Sequence, residues 1–330
     1  MAQKEIGSAE HDLIARYFRP LATAPGAFGL VDDAAILKSS GDDLVVTADA
    51  IVEGVHFLPS DPSDTVARKA LRVNLSDLAA KGAVPAGFVL TLALREVRDE
   101  WLASFAKALG EDIGTFECPL LGGDTVSTPG PLSISVTAFG RVPAGKMVRR
   151  TGAKPGDKIV VTGTIGDAAT GLRLLKGELS ADTLDKSARD FLVDRYRVPK
   201  PRNALAACLR NHATAAMDIS DGLAGDLAKL CAASGVSGTV DASSVPLSEP
   251  VRKLLRAGQI SFEDIVAGGD DYELLCTIPE NHWAAFVTDA SQAKVGVAIV
   301  GSVAAGDAPP AFAGEGGRPI ALKRLSYSHF

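Results

Sequence analysis

Two hydrophobic periods alternate along the chain. Apolar residues that alternate with polar ones, or that run together between turn residues, are typical of β-strands, whereas apolar residues three and four apart are typical of helices. The strand pattern occurs over 44–49, 88–94, 132–139, 158–162, 272–278 and 295–303. The helical pattern occurs over 8–18, 65–81, 99–110, 167–176 and 222–233. Because strands and helices alternate in both halves, the pattern predicts two α/β domains.

A polar segment near the middle of the chain separates the two halves. Residues 149–157 read Arg-Arg-Thr-Gly-Ala-Lys-Pro-Gly-Asp, a run rich in charge and in residues that interrupt regular structure. A chain of 330 residues also exceeds what one hydrophobic core usually holds. We therefore predict one domain over 1–148 and a second over 149–330.

The composition narrows the possible partners. With 34 Lys and Arg against 40 Asp and Glu, the net charge is −6, which predicts no general attraction to nucleic acid or to an anionic membrane. No apolar run approaches the length of a membrane span, and the first residues lack the apolar core of a secretion signal, so we expect a cytoplasmic protein. The four cysteines show no C-x-x-C spacing and lie in or beside apolar segments, which predicts buried thiols.

Aspartates set among glycines, hydroxyl residues and small residues recur along most of the chain. They occur within 31–35, 47–49, 74–77, 122–125, 218–222 and 268–273. Carboxylates that converge repel one another unless a cation offsets their charge, and hard ions such as Mg²⁺ prefer oxygen ligands of this kind, usually together with phosphate. The pattern therefore indicates metal-assisted phosphate chemistry.

The segment 218–222 indicates a site more strongly than the others. Asp218 and Ser220 alternate onto one side of a strand end, while Asp221 begins a helix. Two carboxylates, a hydroxyl and backbone amides are thereby predicted to gather in one turn. A helix cap explains Asp221 but leaves Asp218 without a structural reason.

Two other segments leave the choice open. Asn74, Asp77 and Lys81 share one face of a predicted helix, a spacing that by itself is more often a solvated stripe than a site. The pair Gly122 and Gly123 lets the backbone approach a ligand beside Asp124, but a turn capped by that aspartate is about equally favoured.

One segment matches the sequence pattern of a nucleotide-binding P-loop but lacks the residues and the helix that should follow it. Residues 140–146 fit the G-x-x-x-x-G-K pattern of a P-loop. Met147 stands where a P-loop has the hydroxyl that binds Mg²⁺, and no helical pattern follows. We therefore reject a P-loop.

Taken together, the motifs resemble those of thiamine-monophosphate kinases, a branch of the superfamily that includes aminoimidazole ribonucleotide synthetase. The resemblance covers essentially the whole chain and is carried by NLSDLAA (74–80), GGDT (122–125), GAKPGD (152–157), DISDG (218–222) and DYEL (271–274). The segment VEGVHF (52–57) favours the thiamine-phosphate branch.

The resemblance implies a fold and an activity. The fold would be PurM-like, with two α/β (α+β) domains and with the N-terminal sheets pairing across a homodimer. Such an enzyme transfers the γ-phosphate of ATP to thiamine monophosphate, giving thiamine diphosphate and ADP, with the help of several Mg²⁺ ions. No general base is implied, because the accepting phosphate oxygen is already anionic and the barrier is to bring two polyanions together in line.

The resemblance also implies a role for individual residues. The Mg²⁺ ligands would be Asp33, Thr47, Ala48, Asp49, Asp77, Asp124, Asp218 and Asp221. The residues in contact with ATP would be Gly123, Asp124, Arg150 and Ser220. The residues in contact with thiamine monophosphate would be His56, Asp270 and Tyr327.

Two departures from the family pattern and two rival functions qualify this picture. Val31 stands where the family usually has Gly, and Asp270 stands where many members have the longer Glu, so we expect altered geometry at both places. The nearest rival is another ATP-dependent enzyme of the superfamily; a selenophosphate synthetase is disfavoured because no Cys precedes position 118. A non-catalytic nucleotide-binding regulator is disfavoured by the intact set of carboxylates.

Overall fold

The computed structural model of the protein describes residues 31, 35–38, 41–96, 98–180 and 182–326. The strands are β1 (Ala35–Lys38), β2 (Asp42–Val52), β3 (Val84–Leu94), β4 (Leu120–Ser127), β5 (Ser133–Pro143), β6 (Lys158–Thr162), β7 (Ala215–Ile219), β8 (Ser237–Asp241), β9 (Glu273–Ile278), β10 (Val297–Ala304), β11 (Ala311–Ala313) and β12 (Pro319–Ile320). The α-helices are α1 (Ser63–Ala80), α2 (Asp99–Phe116), α3 (Asp167–Leu175), α4 (Lys186–Arg197), α5 (Ala206–His212), α6 (Leu223–Ser234), α7 (Glu249–Arg256), α8 (Phe262–Val266) and α9 (Trp283–Gln292).

The first half of the described chain forms a five-stranded sheet in the order β1-β2-β5-β3-β4. Its neighbours are antiparallel except for β3 and β4, which are parallel and are joined through α2. Strand β5 reads Ser-Ile-Ser-Val-Thr-Ala-Phe-Gly and buries every second residue, as expected of a sheet with one face in a core. Helices α1 and α2 cover that face, and their apolar side chains join those of the sheet in one hydrophobic cluster.

The second half forms a seven-stranded sheet in the order β12-β11-β8-β10-β6-β9-β7. All residues of β7 and β9 are buried, because helices cover both faces of this sheet. Side chains of α4, α6, α7 and α8 pack against one face. Those of α5 and α9, with the end of α1, pack against the other. Double coverage explains why these strands read as continuous apolar runs instead of alternating ones.

Helix α1 connects the two halves. Ala79 and Ala80, at its end, belong to the hydrophobic cluster of the second sheet. The ammonium group of Lys81 donates to the carbonyl oxygen of Ala216 in β7 at 2.9 Å, and the Asn203 amide donates to the carbonyl of Leu75 at 3.0 Å. The end of α1 is therefore packed against β7.

The two-sheet α/β architecture confirms the predicted fold class. Each predicted element inside the described residues has a counterpart, although the structure extends several of them, such as α2, which runs to Phe116. The predicted helix over 8–18 lies outside the described residues. In chain order, the last strand of the first sheet ends at Pro143 and the first strand of the second sheet begins at Lys158. The predicted domain boundary between residues 148 and 149 falls between them and stays a prediction. Within the described part of the chain, every helix is too short or too polar to span a bilayer.

Candidate active site

A cavity of about 1050 Å³ lies between the two halves of the chain. The predicted site residues that line it are Thr47, Ala48, Asp49, His56, Asp77, Arg150, Asp218, Ser220, Asp221 and Asp270. Asp33 and Tyr327 lie outside the described residues. Gly123 and Asp124 are described but do not line the cavity. The structure thus brings together most of the predicted set, from both halves of the chain, at one surface.

Strand β2 and helix α1 present the first pair of carboxylates. The Thr47 hydroxyl donates to Asp77 at 2.5 Å, and the backbone N–H of Asp49 donates to the side-chain oxygen of Asn74 at 3.0 Å. Asn74 is itself held by the carbonyl oxygen of Ala70, to which its amide donates at 3.1 Å. The face of α1 that carries Asn74 and Asp77 is therefore packed against β2 and is not a solvated stripe.

Asp77 and Asp218 are buried close enough to perturb each other. Burial holds the pKa of Asp77 well above its ordinary value, and the charges of Asp218 and Asp49 raise it further. Burial likewise raises the pKa of Asp218 to about 7, while the Ser76 hydroxyl and the Lys81 ammonium lower it. Lys81 is fully buried and is thus a fixed cation behind the two carboxyls. One ammonium does not compensate the whole cluster, so the site favours additional cations.

The end of β7 presents Asp218, and the turn that leads to α6 presents Ser220 and Asp221. Its shape is set by Asp226, whose fully buried carboxylate accepts the backbone N–H groups of Ser220 and Asp221, both at 3.0 Å. Lys229 contacts the other Asp226 oxygen at 2.9 Å and also contacts Asp221. Although burial alone lowers the pKa of Lys229, the two aspartates raise it above its ordinary value. Lys229 therefore stays charged at the rim of the carboxylate cluster.

The donor set of this cluster fits Mg²⁺. The cavity is lined by four carboxylates, those of Asp49, Asp77, Asp218 and Asp221. Thr47 adds a hydroxyl oxygen beside them. Mg²⁺ is a hard ion that binds carboxylate oxygens and keeps several water molecules or phosphate oxygens. Burial, together with repulsion from neighbouring carboxylates, raises the pKa of Asp77 and of Asp218, and a divalent cation relieves this unfavourable charge.

A strained loop brings Asp270 to the opposite wall. Its φ of 72° lies in the left-handed region, and its N–H donates to the carbonyl oxygen of Ser220 at 2.8 Å. A Cβ atom at Gly269 would lie 2.6 Å from the same carbonyl oxygen, so only glycine lets the loop approach the Ser220 turn this closely. The two carboxylate loops of the second half are therefore tied to each other through backbone.

A buried network of ion pairs anchors that loop from behind. Glu273, at the start of β9, is fully buried and accepts hydrogen bonds from Arg195 at 2.9 Å, Arg202 at 2.6 Å and Thr162 at 2.6 Å. The Asp271 carboxylate accepts the N–H of Gly166 at 2.8 Å, and burial raises its pKa well above the ordinary value. Because these groups are buried, apart from the half-buried Arg202, their hydrogen bonds fix the position at which the loop leaves the sheet.

The structure places Gly123 and Asp124 on the edge strand of the first sheet. Asp124 lies within β4 instead of in a turn or at a strand end, and its side chain is exposed. The pairing runs from Asp124 to Thr91, then to Ser135 and then to Ala50. Three strand spacings amount to about 14 Å along the sheet, and two carboxylates that share one Mg²⁺ must lie far closer than that. Within one chain, Asp124 is thus separate from Asp49.

Three charged residues that the structure places at the site are not predicted from the sequence. Asp226 and Lys229 shape the Ser220 turn, and Lys69 contacts Asp270 from behind the cavity wall. The spacing of Asp226 and Lys229 on one helix, three residues apart and just after the DISDG motif, is a local signal that could have identified them. For Lys69 the sequence carries no comparable signal, because its partner is 201 residues away.

Two domains, with carboxylates of both facing one cavity, define the class of protein to which the chain belongs. Residues 31–142 match the family model of the AIR synthase related protein, N-terminal domain, and residues 154–311 match that of the C-terminal domain. The thiamine-monophosphate kinase of Caulobacter vibrioides is 44% identical to this chain, over 97% of this chain and 90% of the relative. That of Salmonella typhimurium is 39% identical, over 98% and 99%. The chain belongs to the thiamine-monophosphate kinase family.

Solved structures agree with this assignment. AaThiL, complexed with AMPPCP and TMP, superposes with a TM-score of 0.83 at 28% identity, covering 100% of this chain and 99% of that one. The thiamine-monophosphate kinase of Stenotrophomonas maltophilia K279a superposes with a TM-score of 0.77 at 38% identity, covering 95% and 98%. The similarity extends over both domains, so it includes every element that lines the cavity.

Proposed function

We propose that the protein transfers the γ-phosphoryl group of ATP to the phosphate of thiamine monophosphate, giving thiamine diphosphate and ADP. The observation that carries the proposal is the group of four aspartates, Asp49, Asp77, Asp218 and Asp221, which two halves of one chain direct at a single cavity. Family membership gives the class of donor and acceptor, and this cavity gives the place where two polyanions would meet.

In the proposed complex, the described chain contributes positioning and charge. The four aspartates, together with Thr47 and Ala48, would hold Mg²⁺, which when bound neutralises phosphate charge. Arg150 and Ser220 would bind ATP, because a guanidinium group and a hydroxyl both donate to phosphate oxygens. An anionic phosphate oxygen attacks without losing a proton, so the reaction needs no general base.

The acceptor would lie on the side of the cavity formed by His56 and Asp270. The His56 Nδ1 atom accepts the backbone N–H of Val52 at 3.0 Å. In this hydrogen bond Nδ1 carries no proton, so Nε2 is the ring nitrogen that does. Tyr327, outside the described residues, completes the expected contacts with thiamine monophosphate.

Product analysis tests this activity. The purified protein is incubated with ATP, Mg²⁺ and thiamine monophosphate, and thiamine diphosphate and ADP are separated and quantified. We expect equal amounts of both products. Asp77→Asn should lose more than the roughly 10–100-fold that removal of an outer partner of a metal site costs, whereas exchange of the exposed Asp307 for Asn should change little. Consumption of ATP with another acceptor, and none with thiamine monophosphate, would refute the proposal.

We further propose that Asp124 and Gly123 act in a homodimer, at the cavity of the partner. Strand β4 is an edge strand that is exposed along its whole length and carries the exposed apolar side chains Leu120, Leu121 and Val126. An exposed apolar edge of this kind favours pairing with another copy. Such pairing would place Asp124 against the partner and not against the cavity of its own chain.

Mixed dimers distinguish action in trans from action in cis. Asp124→Asn and Asp77→Asn are each expected to be inactive alone. If Asp124 acts across the dimer, a mixed dimer of the two variants retains one intact site, and random reassortment restores about a quarter of the wild-type activity. If it acts within its own chain, the mixture stays inactive, and the proposal is wrong. Sedimentation of the wild-type protein provides the control for a dimer.

A further inference from the structure

A fully buried lysine lies directly behind the acceptor side of the cavity. Lys69, on α1, has 1% of its surface exposed. Its Nζ atom donates to the carbonyl oxygen of His56 at 2.8 Å and to the carboxylate of Asp270 at 2.9 Å. It also lies 3.9 Å from the centre of the Tyr196 ring. One ammonium group thus contacts both described residues that we expect at thiamine monophosphate.

The three contacts account for the whole hydrogen-bonding capacity of the ammonium group. A lysine has three N–H donors, and here a carbonyl, a carboxylate and an aromatic face receive them. A buried charge without such partners is strongly unfavourable, so the arrangement is stable only while all three elements keep their positions. The ammonium group therefore fixes the distance between the His56 turn and the Asp270 loop, which belong to different halves of the chain.

Charge gives Lys69 a second effect on the same wall. Asp270 is a carboxylate on the side of the cavity that would receive a phosphate ester, and like charges repel most strongly where water is scarce. Lys69 compensates that carboxylate from behind, without entering the cavity itself. The acceptor side thereby repels an anion less than the half-buried aspartate alone would.

We propose that Lys69 is a positioning residue for thiamine monophosphate, whose ammonium group holds the His56 turn and the Asp270 loop in register and compensates the Asp270 charge. The assignment rests on the proposed function, because it concerns the acceptor of that reaction. The binding side of ATP has no contact with Lys69 among those described, so loss of the ammonium should separate the two substrates in their kinetic effect.

A second contact makes this assignment testable in a folded protein. Arg197 of α4 binds Asp61 at 2.7 Å, and Asp61 accepts the N–H of Leu58 at 2.8 Å. We therefore expect the segment after His56 to stay docked on α4 when Lys69 is replaced. Lys69→Met keeps most of the stem volume over Tyr196 and removes only the charge and its hydrogen bonds.

The experiment compares steady-state kinetics of the wild-type protein, Lys69→Met and Lys69→Arg with both substrates varied. We expect Lys69→Met to raise the KM for thiamine monophosphate roughly 10- to 100-fold, as misplacement of a substrate contact does, and to leave the KM for ATP within about twofold. Lys69→Arg, which keeps the charge, should lie between the two proteins. Lys186→Met breaks an exposed ion pair with Asp190, outside the cavity, and is the control, with no change expected.

Each outcome separates the two levels of the proposal. An unchanged KM for thiamine monophosphate in Lys69→Met, or an equal rise for both substrates, would overturn the role of Lys69 and leave the kinase activity standing. Equal kinetics of folded Lys69→Met and Lys69→Arg would overturn the role of the charge. If Lys69→Met does not fold, the shift in Lys69→Arg alone decides, with wild-type kinetics in that variant counting against the assignment. A wild-type protein without turnover of thiamine monophosphate would overturn both levels.

Discussion

Asp218→Asn should stabilise the protein against unfolding when Mg²⁺ is removed. Asp218 is buried beside Asp77 and Asp49, and its pKa rises from 3.8 to about 7, chiefly through burial. Compared with the unfolded chain, the folded, metal-free protein therefore ionises this carboxyl at a cost in free energy, because burial favours its protonated form. An asparagine has nearly the same shape and carries no charge, so the substitution removes this unfavourable contribution without leaving a cavity.

The magnitude and its pH dependence follow from the two pKa values. At 1.36 kcal/mol for each pKa unit, the rise corresponds to about 4 kcal/mol. Because the folded state keeps the proton to higher pH than the unfolded state, stability falls as the pH rises from 3.8 towards 7 and is constant above that range. About 3 kcal/mol of the loss lies between roughly pH 5 and pH 8.5. The gain in free energy of unfolding from Asp218→Asn should therefore be small at acidic pH and largest at basic pH.

Urea titration of both proteins in the presence of a chelator measures this difference. The free energies of unfolding are compared at several pH values between about 5 and 8.5, with Asp307→Asn as the control for an exposed aspartate. Addition of Mg²⁺ at the highest pH should stabilise the wild-type protein more than Asp218→Asn. A difference between the two proteins that does not grow with pH would refute the reasoning, and so would a metal-free wild-type protein more stable than the variant in base.

Replacement of Glu273 by Gln should lower the free energy of unfolding by about 3–5 kcal/mol, because this buried carboxylate is the common partner of two guanidinium groups; urea titration measures it, and a loss below about 1 kcal/mol would contradict the network. Gly269→Ala should reduce kcat/KM by roughly tenfold or more, since its Cβ would meet the Ser220 carbonyl at 2.6 Å, whereas Gly296→Ala, with no heavy atom within 4 Å, should have little effect. All four thiols should react with a disulfide reagent at about pH 8 only after unfolding, because they are buried and burial raises the pKa of Cys231 to about 11; rapid reaction of the native protein would be evidence against this.

Strands and helices with a clear hydrophobic period were predicted from the sequence, and those without such a period were not. Strand β6 was predicted with its observed bounds, and helix α6 within one residue at each end, because each carries an apolar pattern that ends at a turn. Strand β4 was not predicted, since it reads Leu-Leu-Gly-Gly-Asp-Thr-Val-Ser and is exposed at every position. Glycine pairs normally indicate a turn, and here the close approach of Gly123 to the backbone of Leu90 is the reason for the glycine.

The candidate site shows the same division. Asp218 and Asp221 were predicted together because they are neighbours in sequence, whereas Asp77 was predicted from the family resemblance, since its helix face by itself was more typical of a solvated stripe. Their convergence at one cavity with Asp49 depends on the packing of α1 against β7. The role of Asp226 depends on two hydrogen bonds to backbone, which only the folded turn creates.

The sequence by itself determined the alternation of strands and helices, the buried state of the thiols and the chemical character of the site, because hydrophobic period and motif spacing are local properties of the chain. The tertiary structure alone decided which of the carboxylates meet, that Asp124 lies on a separate edge strand, and that Lys69 reaches Asp270 across 201 residues. The physical reason is that such contacts arise from the packing of one helix between two sheets, which no local pattern encodes.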